Sequence, residues 1–270
     1  MVDPDDARIS DETLIGRTAA GDPAAFGRLV RRHQAAVYRF AQAAAPDGEA
    51  EAVLCEAFRT AWRVAPRYRD EPSARPWLFA LARQAIERRH LRAYREADFT
   101  PLSELARAAG WGDPTVPPAE GQAVEAAFVA LLPEDREILT LCDREYFTVN
   151  EAARVTDRTE TAVRTLLHRA RLRLMARLRE NTVEALADGE RIVAGLHCGE
   201  VLADLTEHLD GRLGRERAQG IGEHLEGCER CRRFADEIAA AVCALRELPD
   251  APLDPAIESR LLAGLEIADA

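Results

Sequence analysis

At 270 residues the chain has room for one large domain or two to three small ones, and its 47% apolar content is enough to build real cores. No apolar run approaches the roughly 18–20 residues of a membrane span, and the first twelve residues are acidic rather than basic-then-apolar, so a cytoplasmic protein is expected. A net charge of −11 argues at first against nucleic acid, but the charge is badly mixed. Residues 13–96 carry fifteen arginines against nine acids (+6), residues 158–179 seven against one (+6), and residues 181–270 nine against nineteen (−10). All 36 basic residues are arginine, whose planar fork matches phosphates, bases and carboxylates.

Apolar spacings of three and four dominate and β-branched alternation is missing, so the expected fold class is all-α. An acidic tail (1–12) precedes a first helical block over 13–96. There Asp22 suits an N-cap with Pro23 at the first helical position, followed by Leu29, Val30, Val37, Tyr38 and Phe40 at helical spacing. A second helix is predicted over 49–64, with Val53, Leu54, Ala57, Phe58 and Trp62 on one face. A third starts near Ala74, runs through Pro76-Trp77-Leu78-Phe79 and becomes basic at Arg83, Arg88, Arg89, Arg92 and Arg95. Aromatics beside arginines suit single-stranded DNA, since bases stack on rings while arginine follows the backbone. The competing reading makes Trp62, Trp77 and Phe79 core, and it is preferred for Trp62 and Phe58.

Residues 97–120 carry Pro101, Pro114, Pro117 and Pro118 with Gly110 and Gly112, and read as a linker of net charge −3. Residues 121–180 read as a compact helical block. Within it Ala153, Asp157 and Val163 have the spacing of a helix-turn-helix: a small residue at the crossing, a turn residue, then a branched apolar residue. The second helix would begin at Arg158 or Thr159, and Arg164, His168, Arg169, Arg171 and Arg173 could reach phosphates or base edges. The bland alternative is a solvated arginine face on an ordinary bundle. A short linker (181–195) leads to a cysteine-bearing block (196–248) and a tail (249–270) with one amphipathic helix at Ile257, Leu261, Leu262 and Leu265.

His224-Leu225-Glu226-Gly227-Cys228-Glu229-Arg230-Cys231 is the densest chemical signal. His and Cys four apart share a helical face, and Cys-x-x-Cys is the usual half-site for tetrahedral zinc. Cys198 is the preferred fourth ligand, with His197 and His208 as runners-up. Thiolates with one imidazole suit Zn²⁺ over Mg²⁺ or Ca²⁺. A Cys228–Cys231 disulfide is disfavoured in a cytosolic compartment. The His-x-Glu and Cys-x-x-Cys elements of zinc deaminases lie far apart in sequence, unlike these. Cys55, Cys142 and Cys243 read as small buried residues.

Three resemblances attach to these residues. The run Leu131-Leu132-Pro133-Glu134-Asp135-Arg136-Glu137-Ile138-Leu139, the helix-turn-helix and Leu167-His168-Arg169-Ala170-Arg171 resemble region 4 of extracytoplasmic-function (ECF) sigma factors. The resemblance implies −35 reading, with Arg158, Arg164, Thr165, His168, Arg169 and Arg171 toward DNA. Thr161-Ala162 and Thr165-Leu166 depart from the family's usual Gly-Thr and Ser-Arg. Gly21-Asp22 with Ala25-Phe26, the Glu51…Glu56-Ala57-Phe58 helix, and Arg75-Pro76-Trp77-Leu78-Phe79 resemble region 2. That likeness implies a polymerase-binding face at Glu51, Cys55 and Glu56 and a base-capturing loop over 65–75. It also implies −10 strand opening by 77–92, including Trp77, Arg83, Arg88, Arg89 and Arg92. Ala52 and Cys55 replace a customary acid and glutamine, and Gln84 a customary asparagine. Finally, Cys198, Leu209-Asp210-Gly211-Arg212-Leu213 and the His224–Cys231 run resemble zinc-containing anti-sigma domains.

The expectation is therefore a non-enzymatic transcription initiation factor in modules. Its partners would be RNA polymerase core and promoter DNA, its cofactor one Zn²⁺ on Cys198, His224, Cys228 and Cys231, and its acidic zinc module an inhibitor in cis. The alternatives are a degenerate sigma that sequesters a partner without initiating transcription, and a zinc enzyme with a water-bearing metal.

Overall fold

The computed structural model describes residues 9–68, 73–89, 101–109, 121–179, 192–249 and 253–265. The helical expectation holds, with one addition: a two-residue antiparallel hairpin, β1 (Ile192–Val193) paired to β2 (Leu196–His197). The chain divides into two compact units.

The first unit contains α1 (Asp11–Ala19), α2 (Pro23–Ala44), α3 (Ala50–Val64), α4 (Ala74–Arg89), α8 (Val149–Thr156) and α13 (Pro255–Gly264). Asp22 caps α2 as expected, its carboxylate accepting from the Ala25 N–H at 3.0 Å. Phe26, Leu29, Val30, Val37 and Phe40 of α2 are buried, as are Val53, Leu54, Ala57 and Phe58 of α3. Phe26 meets Phe58 edge-on at 6.4 Å and Trp62 at 5.0 Å; Phe58 is core, as preferred from the sequence, whereas Trp62 is only half-buried. Phe79 of α4 is fully buried and bridges Phe40 (5.2 Å) and Phe147 (4.8 Å), which packs α8 onto α4. The Arg75 guanidinium lies 4.7 Å from the Phe147 ring centre, a cation–π contact on the same seam. A reciprocal capping box between Thr148 and Glu151 fixes the start of α8. Its end is Asp157, left-handed at φ 50°, a conformation Asp tolerates better than most residues.

The second unit contains α5 (Leu102–Ala108), α6 (Gly121–Val129), α7 (Pro133–Leu139), a π-helical turn (Thr140–Arg144), α9 (Glu160–Arg179), the hairpin, α10 (Cys198–Leu209), α11 (Arg215–Gly227) and α12 (Glu229–Arg246). Helix α5 forms inside the segment read as a linker. Leu105, Ala106 and Ala109 are buried in one core with Leu172, Met175, Val201, Leu205, Ile221, Phe234 and Ile238. Proline and glycine density marked the flanks of that segment but hid the helical spacing between them. Helix α9 starts at Glu160, one or two residues later than expected.

Candidate functional site

The metal quartet assembles from three elements. Cys198 opens α10, His224 sits in the last turn of α11, and Cys228 and Cys231 flank the start of α12. Their four ligand atoms lie within 4.8 Å of one another, and all four residues are buried. Cys198 Sγ is 3.9 Å from Cys228 Sγ and 3.7 Å from His224 Nε2. Four ligands on a tetrahedron with zinc–sulfur bonds of about 2.3 Å sit about 3.8 Å apart, and the two Cys198 separations match that spacing. Burial and the neighbouring Cys198 and Cys228 push the Cys231 thiol well above its ordinary range, so a cation is needed before three thiolates can coexist here. Neither runner-up ligand joins the quartet: His197 caps α10, its N–H donating to Glu200 at 2.8 Å, and His208 stands elsewhere on that helix.

His224 is oriented from outside the quartet. Its Nδ1 donates to the Val193 carbonyl at 3.2 Å, which leaves Nε2 facing the cysteines. The hairpin reaches that position because residue 227 is glycine: a Cβ there would stand 2.5 Å from Val193 Cγ1. We expect Gly227→Ala to push Val193 off His224 and weaken metal binding by about 10- to 100-fold, measured by chelator competition. Unchanged affinity would make the hairpin irrelevant to the ion.

The arginines named from the sequence fall into three settings. Arg83 is buried and pairs with Glu87 at 2.7 Å. Arg88 and Arg89 reach across to α3 and pair with Glu56 (2.9 and 3.2 Å), Arg89 also with Glu49 (2.9 Å). Two side chains expected to face DNA are thus tied to Glu56, an acid expected to face polymerase. Trp77 is half-buried against Tyr68 at 5.1 Å, and Arg92 lies outside the described residues. On α9, Thr165 is exposed and Arg164 and Arg169 keep partial exposure, as does Arg158 in the turn before the helix. His168 and Arg171 are buried.

Arg171 is held by two carboxylates at once. Asp143 accepts from Nε (3.1 Å) and Nη2 (2.6 Å), and Asp210 accepts from Nη1 and Nη2 (3.0 Å each). Burial opposes the guanidinium charge, and the two acids outweigh it, raising its pKa. Arg173 pairs with Asp135 at 2.6 Å. His168 Nδ1 is 2.9 Å from Thr206 Oγ1, while its Nε2 is buried without a partner. Burial, with Arg171 and Arg169 adding to it against Asp204, lowers the imidazole pKa to about 4.

On α3, Glu51 accepts two bonds from Arg260 of α13 (2.6 and 2.8 Å), which lower its pKa. Cys55 lies half-buried one turn further along, its thiol pKa raised by burial. Sequence reasoning missed Asp143, Asp210 as an ion-pair partner, Phe147, Val193 and Arg260. Only the Leu-Asp-Gly motif signalled one of them.

Comparison with known proteins gives this geometry a family. Residues 29–96 match the family model described as "Sigma-70 region 2", residues 121–174 "Sigma-70, region 4", and residues 198–232 "Putative zinc-finger". Over 166 residues the chain is 31% identical to the ECF RNA polymerase sigma factor SigM of Mycobacterium tuberculosis, covering 61% of this chain and 83% of that protein. It is 30% identical to the ECF sigma factor BldN of Streptomyces coelicolor, covering 65% and 67%. A solved structure of CnrH in complex with the cytosolic domain of CnrY aligns at 27% identity and a TM-score of 0.45, over 64% of this chain and 99% of that one. The chain belongs to the ECF sigma factor family, with a zinc-finger, anti-sigma-like domain on the same polypeptide. It is a transcription regulator and not an enzyme. Among the described residues no helix is long and apolar enough to cross a membrane.

Proposed function

We propose that this chain directs RNA polymerase core to promoters, opening the −10 element with α4 and reading the −35 element with α9, and that its zinc module holds it inactive in cis. The observation that carries the reading is the burial of His168 and Arg171, two recognition-helix side chains, against Thr206 and Asp210 of α10. Two further contacts agree with it. Helix α8 covers α4 through Phe147 against Phe79, and α13 covers the end of α3 that carries Glu51. The −10 charge of the final third supplies the electrostatic logic, since tethered acids compete for arginines at high local concentration. One zinc ion on Cys198, His224, Cys228 and Cys231 would fold the module. Four protein ligands fill a tetrahedron and leave no position for substrate, which disfavours a zinc enzyme.

Polymerase affinity tests whether the tail beyond the zinc module adds to this masking. Ile257 and Leu261 are buried on α13, and each apolar side chain removed from water contributes on the order of 1.5–3 kcal/mol. The exposed Arg260–Glu51 pair adds at most about 1 kcal/mol. A chain ending at residue 249 should therefore bind polymerase core at least about tenfold more tightly than the full chain, read by fluorescence titration. Equal affinity would mean that α13 masks nothing. Failure of both chains to bind core would favour the sequestering alternative.

A further inference from the structure

Helix α10 does more than cover α9, because its contacts are selective. Thr206 and Asp210 are four apart and so share one helical face, and they meet His168 and Arg171, three apart on α9. Asp210 can present its carboxylate because α10 ends there. Gly211 follows at φ 66°, its N–H donates to the His208 carbonyl, and the Arg212 N–H donates to the Glu207 carbonyl. This glycine-terminated hydrogen-bond pattern stops the helix and turns the chain away immediately after the acid. The Leu209-Asp210-Gly211 motif is thereby a device for aiming one carboxylate at a partner.

We infer that Thr206 and Asp210 are the specificity determinants of the zinc module, matched to a recognition helix offering a neutral imidazole and a guanidinium three residues apart. The inference rests on inhibition in cis and deepens it by naming how the module selects its own α9. Asp143 already takes one edge of the Arg171 fork from within the sigma part, and Asp210 takes the other in bidentate fashion. The Thr206 hydroxyl serves a ring whose second nitrogen is buried with no acceptor, so only the uncharged ring fits. The charged groups around it are Arg171 and Arg169 on its own helix, which oppose protonation, and Asp204 on α10, which favours it but is itself paired to Arg217 at 2.7 Å.

The test uses the full zinc-loaded chain and amide hydrogen exchange across residues 163–172. Charge-assisted bonds of this kind predict about 10- to 100-fold faster exchange there in Asp210→Asn, and a smaller rise in Thr206→Val. Exchange across residues 234–242 of α12 should stay slow, which reports that the module remains folded. A ring that docks only when neutral has its docked pKa near 4 against an ordinary 6.5. Docking is then fully favourable above pH 6.5 and weakens as pH falls toward 4, by about tenfold at pH 5.5 relative to pH 7.5. His168→Gln should flatten that dependence. Unchanged protection of α9 in both α10 variants, with α12 intact, overturns the inference. If α9 is released but transcription stays flat, the contact stands and inhibition in cis falls. If residues 1–180 transcribe more than the full chain while the variants keep α9 protected, inhibition stands and these determinants fall.

Discussion

On the proposed zinc site, replacing Cys231 by serine, or removing the ion with a chelator, is expected to dissolve the fixed structure of residues 192–248. The quartet brings α10, α11 and α12 together at one point; its three cysteines are buried in the same core as Val201, Leu205, Ile221, Phe234 and Ile238, and His224 is fully buried as well. Structural zinc sites return on the order of 10–16 kcal/mol at neutral pH, more than a module of this size retains without them. Removing one of three thiolates leaves a half-built site and forfeits most of that. The expected readouts are loss of stoichiometric zinc, reduced helical ellipticity and uniformly fast exchange over α10–α12. Because three thiols must lose protons, binding weakens steeply as pH falls. A Cys231→Ser protein that keeps its ellipticity and its protected α12 would show that packing alone holds the module.

The second large effect is expected at Asp143. Its carboxylate is wholly inaccessible, bonded twice to Arg171 and 3.5 Å from Arg246. Breaking a buried pair by removing one partner costs about 3–5 kcal/mol, because the remaining charge stays buried. Asp143→Ala leaves Arg171 with Asp210 alone. For a unit of this size the loss corresponds to a fall of roughly 10 °C in melting temperature. Asp210→Ala should cost less, since Asp210 is partly exposed and Asp143 still neutralises the guanidinium. Equal losses in a thermal melt would place the two acids on the same footing and undo this ranking.

What the sequence made legible follows from the range of each interaction. Helix limits were readable because caps and periodicity are local: Asp22 caps α2, α3 spans 50–64 against an expected 49–64, and Asp157 takes the left-handed turn. The clustering of Cys198, His224, Cys228 and Cys231 was readable because their spacing carries its own chemistry. Helix α5 was not, since a seven-residue helix gains its stability from the core it joins, and prolines and glycines framed it on both sides. Nor was the pairing of Arg88 and Arg89 with Glu56, or of Arg260 with Glu51, across 209 residues in the last case. An arginine reads identically in sequence whether it awaits phosphate or already holds a carboxylate. The charge budget shows this best: the +6 over 158–179 includes Arg171 and Arg173, both engaged by acids in the folded chain.

Run-off transcription with core polymerase reports directly on inhibition in cis. The comparison takes the full chain, its Cys231→Ser variant and residues 1–180 on a template selected with the 1–180 form. Inhibition by the zinc module predicts low output from the full chain and clearly higher output from both others. Equal or lower output from residues 1–180 would contradict it.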